Sequence, residues 1–224
     1  MKLHMHPASI TSRPVRLLLA EKGIAAEEVL VDLMVGAHHQ EPFASFNPSR
    51  LVPVLEDGDM KLTESSAILK YLADKYDLPE YPKDLKARAR VNEVMDWVNT
   101  NFYRDWGYNL CYPQLFPHHE RPSAEGQQVT VQWGSDKSKF WLQVMNDYWL
   151  GNDQAWLAGD EITIADYFAG SVVALGDMIR YDFSAYPNVA AWLGRMKALP
   201  NWAPVSEALD GFAASLADKD FVAA

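Results

Sequence analysis

The spacing of apolar residues changes twice near the N-terminus. Residues 2–5 form a short strand candidate, and residues 28–33 alternate apolar with polar positions, as expected for a half-buried strand. Between them, residues 12–22 carry apolar positions at helical spacing, with Ser12 placed as the N-cap and Gly23 directly after the helix. Strand, helix and strand in this order predict a parallel unit with a crossover helix.

A second pattern follows in residues 47–67. Pro53 lies within an apolar run, Asp57-Gly58 separates this run from a second short one, and Asp-Gly in that position predicts a β-hairpin. Glu64-Ser65 then opens a helix whose apolar residues fall on one side. A weaker helical pattern covers residues 36–46, so the predicted order is βαβ, a short helix, then ββα.

Two interpretations of residues 47–67 remain open at this point. If the Val52–Pro53 peptide bond is cis, Val52 turns its N–H and C=O toward an extended peptide ligand, as in strand addition. The start of the helix at Glu64-Ser65 then offers free N–H groups and a positive dipole end to a carboxylate. The alternative is an ordinary hairpin followed by a serine-capped helix.

After residue 76 the pattern becomes helical only. Two prolines and several charges mark residues 77–84 as a linker. Beyond it, apolar residues recur at helical spacing to the end of the chain, and Thr163 to Asp166 is typical of a capping box with Asp in place of Glu. We therefore predict an α/β domain over residues 1–76 and an all-α domain over residues 85–224.

The composition narrows the range of partners. The 224 residues carry a formal net charge of −10, which disfavours nucleic acid and anionic membranes. A single cysteine, Cys111, excludes an internal disulfide and fits a reducing compartment. Residues 1–6 lack the apolar core of a signal peptide, and no apolar stretch approaches the length of a membrane span. We expect a cytoplasmic protein.

Taken together, these elements resemble a cytosolic glutathione transferase over nearly the whole chain. The resemblance rests on the βαβ–ββα order, Val52-Pro53, Glu64-Ser65, the linker and the Thr163–Asp166 cap. It implies a thioredoxin-like N-terminal domain, an all-α C-terminal domain, and a cis Val52–Pro53 bond. It also implies a homodimer that uses glutathione as cosubstrate, without a tightly bound cofactor, and conjugates it to small hydrophobic electrophiles in detoxification.

The first loop, Ser9 to Arg13, is similar to the serine loop of the theta and delta classes. Ser9 falls on the catalytic serine, and Ser12 stands where those classes carry a cysteine. A hydroxyl that donates to the glutathione sulfur favours the thiolate, which is the nucleophile. Ser12 is an alternative donor or a helix cap. Arg13, in the first turn of the helix, is expected to add positive potential and to take part in glutathione binding. Ser9 has its own structural alternative, a loop serine bonded to backbone.

The resemblance also assigns residues to glutathione itself. Glu64 would take the γ-glutamyl ammonium, Ser65 the neighbouring carboxylate, and the backbone of Val52, before Pro53, the cysteinyl amide. The glycine carboxylate would lie near Arg50 and His38. Both of these are also compatible with solvated surface residues, and His39 is an unaligned neighbour.

An aromatic-rich stretch is the candidate electrophile pocket. Tyr103 and Trp106 lie at helical spacing, and Tyr112 and Phe116 follow; each is also compatible with the core. His118, His119 and Glu120 are adjacent in sequence, and adjacent residues rarely converge on one ion. No further ligand stands at a suitable spacing, so no metal site is expected.

Two other functions compete with conjugation. One keeps glutathione as cosubstrate for dehalogenation, peroxide reduction or isomerisation. The other is a binding or scaffold protein without catalysis. The presence of Ser9 and of the Glu64-Ser65 pair favours an enzyme.

Overall fold

The N-terminal part of the chain is built on a four-stranded sheet. The computed structural model describes residues 1–222, so Ala223 and Ala224 of the predicted helical domain lie outside it. The strands are β1 Lys2–Met5, β2 Glu27–Leu30, β3 Val54–Asp57 and β4 Met60–Leu62. Their order is β2-β1-β3-β4; β1 and β2 are parallel, and the other neighbours are antiparallel.

Three helices accompany this sheet: α1 Arg13–Glu21, α2 Phe43–Phe46 and α3 Ser65–Lys75. Helix α1 connects the parallel strands β1 and β2, as predicted. The β3–β4 hairpin turns at Gly58, whose φ of 65° suits glycine. Strand β2 ends at Leu30, earlier than predicted, and the expected helix at 36–46 is divided into a 3₁₀ turn, Ala37–His39, and the single turn of α2.

The remainder of the described chain is helical. A nearly continuous helical segment runs through α4 Leu85–Trp97, the π-helical segments Val98–Phe102 and Arg104–Cys111, and α5 Tyr112–Leu115. The other helices are α6 Ala124–Val144, extended by the π-helical segment Met145–Trp149, then α7 Ile164–Val173, α8 Leu175–Met178, α9 Pro187–Lys197 and α10 Trp202–Ser215. Within residues 1–222, no helix is long and apolar enough to cross a bilayer.

Helix α7 is the central helix of the structure. All of its residues are buried, and it packs against α1, α3 and α4, so one core extends from the sheet into the helical part. At its start, Asp166 accepts hydrogen bonds from the Thr163 N–H at 2.8 Å and hydroxyl at 3.0 Å. The predicted structural role of Asp166 is therefore confirmed.

Helix α6 packs through small residues and leaves large ones in solvent. Gly134, Ser135 and Ser138 are buried, and a Cβ on Gly134 would lie 2.5 Å from the Asn109 carbonyl carbon. This close approach places α6 against the Arg104–Cys111 segment. On the outer side, Trp133 is 57% exposed and Phe140 is 55% exposed.

Candidate active site

A cavity of about 1220 Å³ lies between the sheet and the helical part. The sheet side contributes the loop after β1, the segment before β3 and the start of α3. The helical side contributes aromatic residues from the Val98–Leu115 region and from α7 and α10. Most of the predicted site residues line this cavity, and they come from positions far apart in sequence. They are Ser9, His38, Arg50, Val52, Pro53, Glu64, Ser65, Tyr103, Tyr112 and Phe116.

Ser9 lies in the cavity wall at the N-terminus of α1. Its Oγ accepts the Ser12 N–H at 3.1 Å and lies 3.1 Å from the Thr11 Oγ1. Ser12 occupies the predicted N-cap position of α1, but its side chain makes no capping bond, and the side-chain acceptor at this end of the helix is Ser9. The Ser12 N–H occupies only an acceptor position of the Ser9 oxygen, so the hydroxyl proton of Ser9 can be donated to Thr11 or to a ligand in the cavity.

Ser12 and Arg13 do not line the cavity. Ser12 is fully buried, and its hydroxyl has no hydrogen-bond partner in the described part of the chain. The Arg13 guanidinium donates to the Ser171 carbonyl at 2.5 Å and lies over the Trp202 ring. Burial lowers the Arg13 pKa to about 10. The prediction that Arg13 binds glutathione is corrected, because this side chain joins α1 to the helical part.

Val52 presents backbone groups to the cavity. The Val52–Pro53 peptide bond is cis, as the resemblance implied. The Val52 carbonyl accepts the Thr11 hydroxyl at 2.8 Å, while its N–H donates to no protein acceptor within residues 1–222. An unpaired N–H beside a cavity is a suitable donor for an extended ligand.

The start of α3 also faces the cavity. Glu64 precedes the helix with a φ of 66°, a left-handed conformation that is unusual for a residue with a side chain. Among residues 1–222, no side chain caps this helix. Its first N–H groups and positive dipole end therefore remain available to an anion, and the serine-capped alternative for Ser65 is wrong.

Arg50 and His38 also line the cavity. Arg50 is exposed, and His38 is partly buried with an Nδ1 that has no partner within the described residues. Burial lowers the His38 pKa, with further lowering by the neighbouring His39 and His118. His118 and His119 line the same cavity from the helical side. Within residues 1–222, histidine, cysteine and acidic side chains form no cluster of three suited to a metal ion.

The helical wall of the cavity is aromatic. Tyr103 and Tyr112 are buried, and their hydroxyl groups are hydrogen-bonded to each other. Trp106 was predicted to belong to this wall, and that prediction is wrong. Its ring is fully buried in the helical core, and its Nε1 donates to the Val172 carbonyl at 2.9 Å.

Sequence reasoning missed several residues of the cavity. Thr11 lies in the loop from Ser9 to Arg13 and Tyr108 lies in the aromatic-rich stretch, but neither was predicted to line the site. Phe168 and Phe212 come from α7 and α10, and Phe212 stacks on Phe116 with ring centroids 5.6 Å apart. The tertiary packing of these helices brings both residues to the cavity, and no local pattern marks them.

Comparisons with known proteins fit this geometry. Residues 1–74 match the N-terminal domain of glutathione S-transferases, and residues 139–200 match the C-terminal domain. The chain is 36% identical to human glutathione S-transferase theta-2B over 201 residues, which is 88% of this chain and 81% of the relative. It is 34% identical to human glutathione S-transferase theta-1 over 204 residues, covering 88% and 82%.

Solved structures agree. Human glutathione transferase theta-2, in complex with glutathione and an unknown ligand, matches with a TM-score of 0.85 and 32% identity, covering 98% of this chain and 91% of that one. A delta-class glutathione transferase from Nilaparvata lugens matches with a TM-score of 0.78 and 30% identity, covering 95% and 96%. The chain belongs to the glutathione S-transferase family. It is an enzyme with the glutathione transferase fold, and glutathione is its cosubstrate.

Proposed function

We propose that this enzyme conjugates glutathione to small hydrophobic electrophiles and that the Ser9 hydroxyl stabilises the glutathione thiolate. The observation that carries the proposal is the position of the Ser9 Oγ. It lies in the cavity wall at the N-terminus of α1, with the Ser12 N–H already bound at 3.1 Å. A glutathione thiolate held against this hydroxyl accepts a hydrogen bond from it, and that hydrogen bond lowers the pKa of the thiol.

Glutathione would bind along the sheet side of the cavity. Val52 would pair with the cysteinyl amide through its backbone, beside Pro53. The uncapped start of α3 at Ser65 would hold the γ-glutamyl carboxylate, and Glu64 would hold the ammonium. These contacts orient the sulfur toward Ser9.

The glycine end would extend toward Arg50 and His38. A guanidinium suits a carboxylate because its N–H groups match the two oxygens. Arg50, His38 and the start of α3 all line the cavity in which the peptide is proposed to bind.

The electrophile would occupy the aromatic side of the cavity. Tyr103, Tyr112 and Phe116 give it an apolar wall beside the proposed position of the sulfur. Dehalogenation, peroxide reduction and isomerisation would use the same thiolate. A scaffold protein would have no need of an open cavity that contains both a serine hydroxyl and an uncapped helix end.

The test compares Ser9→Ala with Ser12→Ala. The measurements are the ultraviolet titration of the bound thiol and the turnover of a generic aryl halide. Because a hydrogen bond to a charged group is worth about 1.5–3 kcal/mol, Ser9→Ala should raise the thiol pKa and reduce turnover about ten- to hundredfold near neutral pH. Glutathione affinity should change little. Ser12→Ala should leave the thiol pKa unchanged, and the opposite pattern would move the role to Ser12.

We also propose a cytoplasmic homodimer. Val129, Trp133 and Phe140 form one exposed apolar stripe along α6, and such a stripe on a helix is typical of an interaction surface. Light scattering of Trp133→Glu should show a smaller species than the unmodified protein if this stripe is the subunit contact. An unchanged mass would place the contact elsewhere.

The proposed cytoplasmic location has separate support, because the buried Cys111 fits a reducing compartment.

A further inference from the structure

Three groups in the cavity lining form a continuous hydrogen-bonded chain. The Ser9 Oγ and Thr11 Oγ1 lie 3.1 Å apart, and the Thr11 hydroxyl donates to the Val52 carbonyl at 2.8 Å. Thr11 therefore stands between the group proposed to stabilise the sulfur and the group proposed to dock the cysteinyl amide. All three residues line the same cavity.

The protons in this chain can be counted. Each hydroxyl has one proton to donate. The proton of Thr11 is given to the Val52 carbonyl. In the contact between Ser9 and Thr11, Ser9 must therefore be the donor. Without a ligand, the proton proposed to reach the sulfur is directed at Thr11.

We propose that Thr11 is a positioning residue that couples the docking of glutathione at Val52 to the hydroxyl of Ser9. The inference rests on the proposed roles of Ser9 and Val52. The cysteinyl N–H of glutathione supplies the Val52 carbonyl with a second donor, since this oxygen has two acceptor positions. The carbonyl then stays satisfied when the Thr11 hydroxyl rotates away from it and donates to the Ser9 Oγ. The Ser9 proton then rotates to the sulfur.

No proton is transferred between heavy atoms in this exchange; only the two hydroxyl groups rotate. In the bound arrangement the Ser9 Oγ accepts from both the Ser12 N–H and the Thr11 hydroxyl. An oxygen that accepts hydrogen bonds becomes a stronger donor, because neighbouring hydrogen bonds polarise one another. Ser9 therefore stabilises the thiolate better when Thr11 donates to it, and it does so only after the peptide backbone has docked.

The experiment measures the pKa of the bound thiol, together with kcat/KM for an aryl halide. Thr11→Val removes the hydroxyl and keeps the shape. Since one hydrogen bond contributes about 0.5–1.5 kcal/mol, the thiol pKa should rise by about half to one unit, and kcat/KM at neutral pH should fall about three- to tenfold. Thr11→Ser should restore both values. Thr130→Val, which removes a hydroxyl on α6, should change neither. The ionisable residues of this loop, His6 and Arg13, are the same in every variant, so they do not account for a difference in thiol pKa between variants.

A double-variant cycle separates this inference from the proposed function. In a Ser9→Ala background, Thr11→Val should have no further effect on the thiol pKa, because Thr11 acts through Ser9. If Ser9→Ala itself leaves the thiol pKa unchanged, the proposed role of Ser9 fails first. If Ser9→Ala raises the pKa and Thr11→Val does not, only the role of Thr11 is overturned.

A second measurement does not depend on the folding of a Thr11 variant. Glutathione methylated on the cysteinyl nitrogen cannot donate to the Val52 carbonyl. With the unmodified enzyme, this analogue should bind with a thiol pKa raised by about the same half to one unit that is expected for Thr11→Val. A thiol pKa equal to that of bound glutathione, after correction for the two free thiols, would contradict the coupling.

Discussion

The indole Nε1 of Trp192 donates a hydrogen bond to the carboxylate of Asp166 at 2.9 Å. The same Asp166 oxygen accepts the Leu157 N–H at 2.9 Å, and the other oxygen accepts the Thr163 N–H and hydroxyl. One fully buried carboxylate thus fixes the start of α7, the chain before it, and α9. Because α7 packs against α1, α3 and α4, this bond network supports both halves of the cavity.

We expect Asp166→Ala to destabilise the protein strongly. It would leave four donors without their acceptor in a buried region, and one unsatisfied group alone costs about 1–3 kcal/mol. The expected loss in free energy of unfolding is at least about 3 kcal/mol, measured by urea denaturation. Trp192→Phe, which removes a single donor and some ring volume, is the matched control and should cost less. Equal losses would show that packing, and not the carboxylate, determines the stability here.

Several features of this fold could be predicted because they depend on local chemistry. The Asp57-Gly58 hairpin and the Thr163–Asp166 cap involve neighbouring residues, and both are present. The cis bond before Pro53 and the placement of Ser9 and Glu64 on one cavity followed from the family resemblance.

Other features depend on tertiary packing, and for these the predictions from the sequence were wrong or incomplete. Trp106 and Tyr103 are three positions apart in one aromatic stripe, but only Tyr103 reaches the cavity, because the Trp106 indole is bonded to Val172 of α7. Arg13 follows a cavity loop and turns away toward Ser171. Phe212 reaches the cavity from nearly the other end of the chain.

The γ-glutamyl contacts give a second prediction. Glu64→Gln keeps the shape of the side chain and removes its charge, while Ser65→Ala removes the hydroxyl at the start of α3. Since a hydrogen bond to a charged group is worth about 1.5–3 kcal/mol, Glu64→Gln should raise the KM for glutathione about ten- to hundredfold. Retention on immobilised glutathione should fall in both variants. Glu125→Gln, an exposed glutamate in the first turn of α6, is the control and should behave like the unmodified enzyme.

The glycine end can be tested with a shorter substrate. At neutral pH, Arg50→Asn should weaken glutathione binding about two- to fivefold, as expected for an exposed charge pair, and His38→Gln should weaken it less. Asn is chosen at position 50 because the Arg50 φ of 54° is tolerated by asparagine. Neither variant should alter the binding of γ-glutamylcysteine, which lacks the glycine carboxylate. If both ligands are affected equally, these side chains act on the peptide elsewhere.

The pKa of His38 adds a pH dependence to this prediction. Burial and the neighbouring histidines lower that pKa, so the free side chain is neutral at pH 7. A neutral imidazole attracts a carboxylate less than a cation does. The effect of His38→Gln on glutathione affinity should therefore grow as the pH falls through the lowered pKa. Calorimetric titrations across the acidic range would measure it, and an effect that is constant with pH would exclude a charge-based contact.

The paired tyrosines lead to a prediction about substrate class. The hydroxyl groups of Tyr103 and Tyr112 share one hydrogen bond, and this contact uses one of their two protons. Burial raises the pKa of both phenols, so both stay protonated. Within residues 1–222 the second proton has no acceptor, and an unsatisfied buried donor favours a ligand that can accept from it.

Electrophiles that carry an acceptor oxygen should therefore depend on this pair, whereas alkyl halides should not. Tyr103→Phe and Tyr112→Phe should each reduce kcat/KM for an α,β-unsaturated ketone about three- to tenfold, the value of one hydrogen bond. The same variants should leave kcat/KM for an alkyl halide within about twofold, because the apolar ring wall is retained. Tyr148→Phe, on an exposed tyrosine, is the matched control. Parallel losses for both electrophiles would mean that the pair shapes the cavity and does not donate to the substrate.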